Sequence, residues 1–195
     1  MGKVLSHMTM SLDGYIADPN DQVGELFDWY SAGDKTIPTP NKDVTFKVDK
    51  QSAKVLEELT GGVGALIAGR RLFDIAKGWG DHHPAGSPVV VVTHKPPADA
   101  AQKFPRTTFV EGVEAAVAKA KEIAGEKDVT IASANVIQQA LDLGLVDEVC
   151  LSVAPVVFGE GIPYFSRLAN GHLVLEDPVV VQGKRALHLR YPVKK

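Results

Sequence analysis

The stretch DVTIASANVIQQALDLGLVDEVCLSVAPVVFGEGIPYF, residues 128–165, constrains the fold more than any other part of the chain. Val129 and Ile131 read as a short apolar strand, and Ala132-Ser133-Ala134-Asn135 as a sharp turn. Val136, Ile137, Ala140 and Leu141 then recur at helical spacing. Asn135 is placed to cap that helix, with Gln138 three positions on as its reciprocal partner. Gly144 followed by Leu145 reads as a left-handed stop with its hydrophobic contact, and a second apolar strand follows. Where such a strand gives way to a helix, backbone N–H groups and the helix dipole point outward together. A ligand phosphate fits that place, so the segment implies both a fold class and a site.

The remaining segments fit the same alternation. Val4 to Met10 is expected as a strand with Val4, Ser6, Met8 and Met10 on one face and Leu5, His7 and Thr9 on the other. Apolar residues on both faces suit an interior position. Tyr15–Ala17 is extended, and Gln22 to Lys47 reads as a long loop with one helical turn at Leu26–Tyr30. Its aromatics, Phe27, Trp29 and Tyr30, either wall a pocket or pack the loop onto the core. A helix over Asp49–Thr60, a strand at Ala65–Ala68 and a brief helix carrying Leu72, Phe73 and Ala76 come next. Pro88–Thr93 is β-branched throughout, hence a buried parallel strand. Thr107–Val110 is another strand, and Val113, Ala116, Val117, Ala120 and Ala124 define a helix ending at Gly125. Strands are expected at Leu173–Leu175, Val179–Gln182 and Ala186–Tyr191, the last two joined by a type II′ turn at Gly183-Lys184. The pattern predicts one α/β domain over residues 1–195: a mostly parallel sheet, helices on both faces and an antiparallel C-terminal edge hairpin.

Composition excludes several functions. A net charge of −3 argues against a nucleic-acid binder, which carries a basic excess. The single cysteine, Cys150, rules out a disulfide framework or a zinc site and suits a reducing cytoplasm. No apolar run approaches the roughly 18 residues needed to cross a bilayer, so no membrane partner is expected. His82-His83 has no third ligand nearby, so no metal is expected either. Nucleophile elbows, Walker loops and His-Glu-x-x-His pairs are absent.

What remains is a set of loops at the carboxyl ends of expected strands: Leu12-Asp13-Gly14, Gly69-Arg70-Arg71, Thr93-His94-Lys95 and Ala132-Ser133-Ala134-Asn135. Open α/β sheets bind ligands in that crevice. Either small residues there admit a pyrophosphate whose charge Arg70, Arg71 and Lys95 neutralise, or these are ordinary surface basics and turn residues. Asp13 either meets the N–H groups of a heterocycle and helps deliver a proton, or is simply a turn residue.

These motifs resemble one family. SLDGYIA at 11–17, GRRLFD at 69–74, VIQQ through GLVDEV at 136–149 and APVVFGEG at 154–161 are similar, in order, to the dihydrofolate-reductase-like superfamily. The branch is the one sharing the reductase domain of the bifunctional riboflavin-biosynthesis enzyme. The resemblance implies a three-layer α/β/α fold that binds NADPH across the crevice. It places Thr93, His94 and Lys95 near the adenine ribose and its 2′-phosphate, with Gly69 and Arg70 bordering the phosphates. Ile131, Ser133, Ala134, Asn135, Val136 and Ile137 would cradle the pyrophosphate and nicotinamide side. Leu12, Asp13, Ile16 and Trp79 would line the nicotinamide and substrate pocket, with Phe158 on its substrate side. Hydride would pass to a C=N or C=O of a pteridine-like or pyrimidine-like compound. Two departures stand out: Ala132-Ser133 replaces a usual Gly-Gly pair, and Ile131 stands where the riboflavin enzymes place a Glu. They motivate an alternative, a ligand-binding protein that kept the fold without the cofactor turn. The terminal hairpin and the apolar 155–158 segment lead us to expect a homodimer.

Overall fold

In the computed structural model, which describes residues 2–41, 44–166 and 168–194, β1 (Val4–Met10) is the fourth of eight strands in the main sheet. Its alternating apolar faces put it there. Val4, Met8 and Met10 pack under one helical layer, while Thr9 accepts a hydrogen bond from the Trp29 indole on the other side. The chain continues through β2 (Tyr15–Ala17), a 3₁₀ segment at Gly24–Ser31, and a hairpin of β3 (Lys35–Pro38) and β4 (Thr45–Val48). Then come α1 (Lys50–Gly62), β5 (Val63–Gly69), α2 (Arg70–Ile75), β6 (Val89–Val92), α3 (Ala100–Lys103) and β7 (Thr107–Val110). The rest is α4 (Val113–Ala124), β8 (Asp128–Ile131), α5 (Ala134–Asp142), β9 (Glu148–Val153), β10 (Ile162–Pro163), β11 (Val179–Gln182) and β12 (Leu187–Pro192).

The main sheet runs β11-β12-β9-β1-β8-β5-β6-β7. β1 pairs in parallel with both β8 and β9, and β5, β6 and β7 extend the parallel part. β12 turns antiparallel on β9 and carries β11 at the edge, as the sequence pattern required. α4 and α5 cover one face, burying Ala116, Val117, Ala120, Val136, Ile137 and Ala140 against Ala65, Ile67, Val129 and Ile131. Gly64 lets α4 approach closely: a Cβ there would sit 2.7 Å from the Ala124 Cα. On the opposite face Phe73 and Phe104 pack on Leu66, Ala68, Val89 and Val91, while α1 joins the cluster around Trp29 and Val48. The result is a three-layer α/β/α arrangement.

Several local expectations change. The helical turn expected at Leu26–Tyr30 is present as the 3₁₀ segment Gly24–Ser31, but the chain after it pairs as the β3–β4 hairpin rather than continuing as loop. Leu173–Leu175 forms only an isolated bridge, Leu175 to Val193. The β11–β12 turn is not a type II′ turn centred on Gly183-Lys184, because the Gly183 N–H reaches the Ala186 carbonyl, leaving Lys184 and Arg185 between them, and the positive φ falls on Arg185. Gly183 serves close approach instead, since a Cβ would lie 2.2 Å from the Ser52 hydroxyl oxygen. That hydroxyl belongs to a buried relay. Ser52 Oγ donates to Asp49 Oδ2 at 2.6 Å and meets His188 Nε2 at 3.0 Å, while His188 Nδ1 meets Ser152 Oγ at 2.9 Å. The relay ties the N-cap of α1 to β9 and β12.

The segment Lys77–Asp81 is a left-handed turn in which five consecutive residues have φ between 50° and 63°. Three of them, Lys77, Trp79 and Asp81, carry side chains, which L-residues tolerate poorly in that region. Packing compensates: Trp79 contacts Phe73 and His83 edge-on, and the Asp81 carboxylate accepts from the Arg106 N–H and the Thr107 hydroxyl.

Candidate functional site

A cleft of about 670 Å³ opens across the carboxyl ends of β1, β5, β6 and β8. This is where an open α/β sheet changes winding direction and binds ligands. Met8, Gly69, Val92, Thr93 and Ala132 supply its floor, α2 and α5 its walls, and the loop carrying Asp21, Val23 and Phe27 its far lip.

The turn between β8 and α5 is the best-defined part. Ser133 occupies the N-cap position with extended backbone, and its carbonyl accepts from the Ile137 N–H at 2.9 Å. Its hydroxyl oxygen, however, accepts from the Gly69 N–H at 2.8 Å, joining the ends of β8 and β5. That oxygen is therefore bound to a different strand rather than to its own helix. The expected Asn135–Gln138 capping box does not form. Asn135 Oδ1 accepts from Gln139 at 2.6 Å, and Gln138 donates to the Tyr164 carbonyl and accepts from Ser166. The first-turn N–H groups of a helix have no intrahelical partner, and Ala134, Asn135 and Val136 all line the cleft. An anion there would meet backbone donors and the helix dipole together. At the other end of α5, Gly144 has φ 66° and the Leu145 N–H reaches the Ala140 carbonyl, so the expected stop forms.

Basic side chains line the cleft, and each is already paired. Arg70 donates through Nε to both carboxylate oxygens of Asp74 (2.8 and 2.9 Å) and through Nη1 to the Lys95 carbonyl. Arg71 holds Asp21 at 2.8 Å, and His94 meets Glu111 at 2.8 Å. Thr93 Oγ1 bonds the backbone of Lys95, which shapes the turn after β6.

Of the residues expected at the site, the cleft brings together Ile16, Gly69, Arg70, Thr93, His94, Ser133, Ala134, Asn135 and Val136. Others do not line it. Ile131 and Ile137 are fully buried core residues, and Lys95 contributes its backbone behind Arg70. Leu12 is 70% exposed on the corner after β1. Trp79 is drawn into the left-handed turn by its contacts with Phe73 and His83. Phe158 lies beside Gly24, and its N–H donates to Asp13.

Asp13 takes a structural position. Its carboxylate accepts from the Ser11 hydroxyl (2.6 Å), the Gly159 N–H (2.7 Å) and the Phe158 N–H (3.2 Å). The Ser11 bond first, and then the two N–H groups, hold the carboxyl below its ordinary pKa. It clamps the β1–β2 corner to the segment after β9, and a carboxylate held ionised is a poor proton donor.

Sequence reasoning missed Met8 on the floor and most of the far lip and its facing wall, including Asp21, Val23, Ile75, Gln138, Gln139, Ile162 and Ser166. Of the three aromatics in the 22–47 segment, Phe27 lines the cleft, whereas Trp29 and Tyr30 pack into the core cluster. Among the described residues no group of three or more His, Cys, Asp or Glu is arranged to hold a metal, and no helix is long and apolar enough to cross a membrane.

Comparison with known structures gives the same architecture. A Shewanella sp. PV-4 protein assigned to riboflavin biosynthesis superposes with a TM-score of 0.67 at 23% identity, covering 99% of both chains. Dihydrofolate reductase from Enterococcus faecalis, complexed with NADP(H), superposes with a TM-score of 0.61 at 16% identity over 100% of this chain and 98% of that one. The Thermotoga maritima diaminohydroxyphosphoribosylaminopyrimidine deaminase/5-amino-6-(5-phosphoribosylamino)uracil reductase gives 0.62 at 13% identity. There the match spans 99% of this chain but 57% of the longer protein. Curated protein sequences give no match. The model of the RibD C-terminal domain matches residues 2–182, nearly the whole chain. With its parallel sheet, its strand-end cleft and that match, the chain belongs to the RibD C-terminal domain family.

Proposed function

We propose that the chain is an NADPH-dependent oxidoreductase that passes hydride to a small pteridine-like or pyrimidine-like heterocycle, or to a carbonyl compound. The observation that carries this reading is the cleft: about 670 Å³ lying over the strand ends, with the open first turn of α5 on its wall. That volume lies within the range of cofactor sites. The cofactor, when bound, supplies the hydride. Ala134, Asn135 and Val136 would offer backbone N–H groups to its pyrophosphate, while Gly69 admits close approach at the end of β5. Arg70, Thr93 and His94 would face the adenosine end, and Met8, Ile16 and Ile162 would exclude water from the nicotinamide side. Asp13 is a positioning residue in this reading, because it fixes the loop at Phe158 and Gly159. Cys150 as the only cysteine supports a cytoplasmic setting. Among the described residues β11 is an edge strand of the sheet, and with Val179 and Val180 61% and 54% exposed it supports a homodimer formed by sheet extension. Light scattering checks that state.

Titrating the protein with NADPH and following nicotinamide fluorescence tests the reading. Saturation at micromolar cofactor is expected, and no change up to millimolar NADPH overturns it.

A second reading, a ligand-binding protein without hydride transfer, is favoured by one observation. Ala132-Ser133 stands at the cofactor turn, and the Ser133 hydroxyl captures the Gly69 N–H. If it holds, A132G/S133G creates NADPH affinity that the natural sequence lacks. Micromolar binding by the natural sequence removes its basis.

A further inference from the structure

The charges on the cleft wall bear on what substrate it takes, on the premise that the cleft is the reductase site proposed above. Three basic side chains line it, and each is held by a carboxylate of the chain: Arg70 by Asp74, His94 by Glu111 and Arg71 by Asp21. The first two pairs are exposed, and exposed pairs give up their partner at little cost. His94 can turn to a cofactor phosphate, while Arg70 keeps a further bond to the Lys95 carbonyl and would meet a phosphate from beside it. The third pair differs on its acid side: Arg71 is itself 67% exposed, but it donates through both Nε (3.2 Å) and Nη2 (2.8 Å) to one oxygen, Oδ2, of Asp21, whose side chain is only 25% exposed and is held in the lip.

Asp21 is the one carboxylate among the described residues that line the cleft. It belongs to the far lip and Arg71 to α2, so the pair ties the two walls together. The lip holds Asp21 in place. Its backbone has φ 64° and its N–H reaches the Asp18 carbonyl, while the Asp18 carboxylate accepts from the N–H groups of Asn20 and Gln22. Around the pair the walls are apolar: Ile16, Val23, Phe27 and Ile75.

We propose that Asp21 is a specificity-determining residue that occupies Arg71 in place of a ligand anion, so that the substrate is a planar, uncharged heterocycle without a phosphate ester. A phosphate brought to this end must either displace the Asp21 carboxylate or sit beside it, and like charges within about 6 Å oppose each other. An unphosphorylated ring system leaves the ion pair intact and buries its faces against Phe27, Val23 and Ile75.

Calorimetric titration of the NADPH-loaded protein with matched pairs tests this: uridine with uridine 5′-phosphate, and 6-hydroxymethylpterin with its phosphate. The unphosphorylated member should bind at least about tenfold more tightly, and Asp21→Asn should raise affinity for the phosphorylated member about tenfold while leaving the other unchanged. Adding Arg71→Gln to Asp21→Asn should remove that gain. Tighter binding of a phosphorylated member to the natural sequence overturns the proposal, as does an Asp21→Asn effect equal on both members. If NADPH saturates but no member of either pair binds, the substrate assignment fails and the reductase reading stands. If NADPH itself does not bind, the reductase reading fails and takes this inference with it.

Discussion

Replacing Ser133 with Ala separates the structural part of the β8–α5 turn from the cofactor-binding part proposed for it. In the structure the Ser133 oxygen accepts the Gly69 N–H at 2.8 Å, and Ser133 is 8% exposed. The alanine keeps Cβ, so packing against Gly69 and the backbone of the turn are preserved; only the acceptor is lost. A buried donor left without a partner costs about 1–3 kcal/mol. Gly69 lines the cleft, where water can partly replace the lost oxygen, so the low end applies: about 1 kcal/mol. For a chain of this size that lowers the melting temperature by about 2–4 °C. The strand ends of β5 and β8 would then be free to move apart, and NADPH affinity should fall about tenfold through lost preorganisation. Thermal melts followed by circular dichroism, with NADPH titration of the same samples, measure both. An unchanged melting temperature together with unchanged affinity refutes the claim that this bond holds the turn.

Acid should weaken the fold in a defined window. Burial pushes the His7 imidazole from 6.5 down to about 4, helped by nearby His188 and Arg190, and burial alone takes His83 to about 4. Below pH 6.5 the unfolded chain takes up these protons while the folded chain refuses them, so stability falls between about pH 6.5 and 4, by at most about 3 kcal/mol per histidine. Urea midpoints at pH 7 and pH 4.5 report the slope; His7→Leu should flatten it, and a natural sequence already flat over that range contradicts the assignment. Gly183→Ala drives a Cβ to within 2.2 Å of the locked Ser52 oxygen and should destabilise the protein by about 2–3 kcal/mol in urea denaturation. A loss under about 0.5 kcal/mol means the relay has slack. Asp13→Ala releases the Phe158 and Gly159 N–H groups, so their hydrogen exchange should accelerate while global unfolding is little changed. Equal protection in the variant removes the clamp role given to Asp13.

What the sequence disclosed depended on how far apart the partners were. Periodicity along β1, the β-branched run of β6 and the Gly144 stop depend on near neighbours, and all three stand in the structure. The cap of α5 was misread because Ser133 finds its partner 64 residues away, at Gly69, leaving Asn135 to bond within the helix. Asp13 reads in sequence as a free acid after a strand, yet its ligands are N–H groups 145 and 146 residues on. The β3–β4 hairpin hides behind Gly33, Pro38 and Pro40, which look like loop punctuation until Lys35 is seen to pair with Val48. Gly78 and Gly80 mark a turn around Trp79, but nothing local signals that Lys77, Trp79 and Asp81 share their left-handed φ. The cleft floor was legible because strand ends are; its lip was not, because nothing local places Asp21 against Arg71.

The position of β1 also sets an order of events. It precedes the other strands of its sheet in sequence, yet its neighbours are β8, where Val4 meets Val129, and β9, where Leu5 meets Glu148. Closing loops of this length before any contact rewards them is slow, so topology delays the central strand. The consecutive β5–β6–β7 stretch, with α4 and then β8, can assemble through short connections while β1 waits. Met8 lies on the cleft floor, so the cleft is complete only when β1 has inserted. In a refolding experiment, ligand binding should therefore appear in the last kinetic phase, after most of the helical signal has returned.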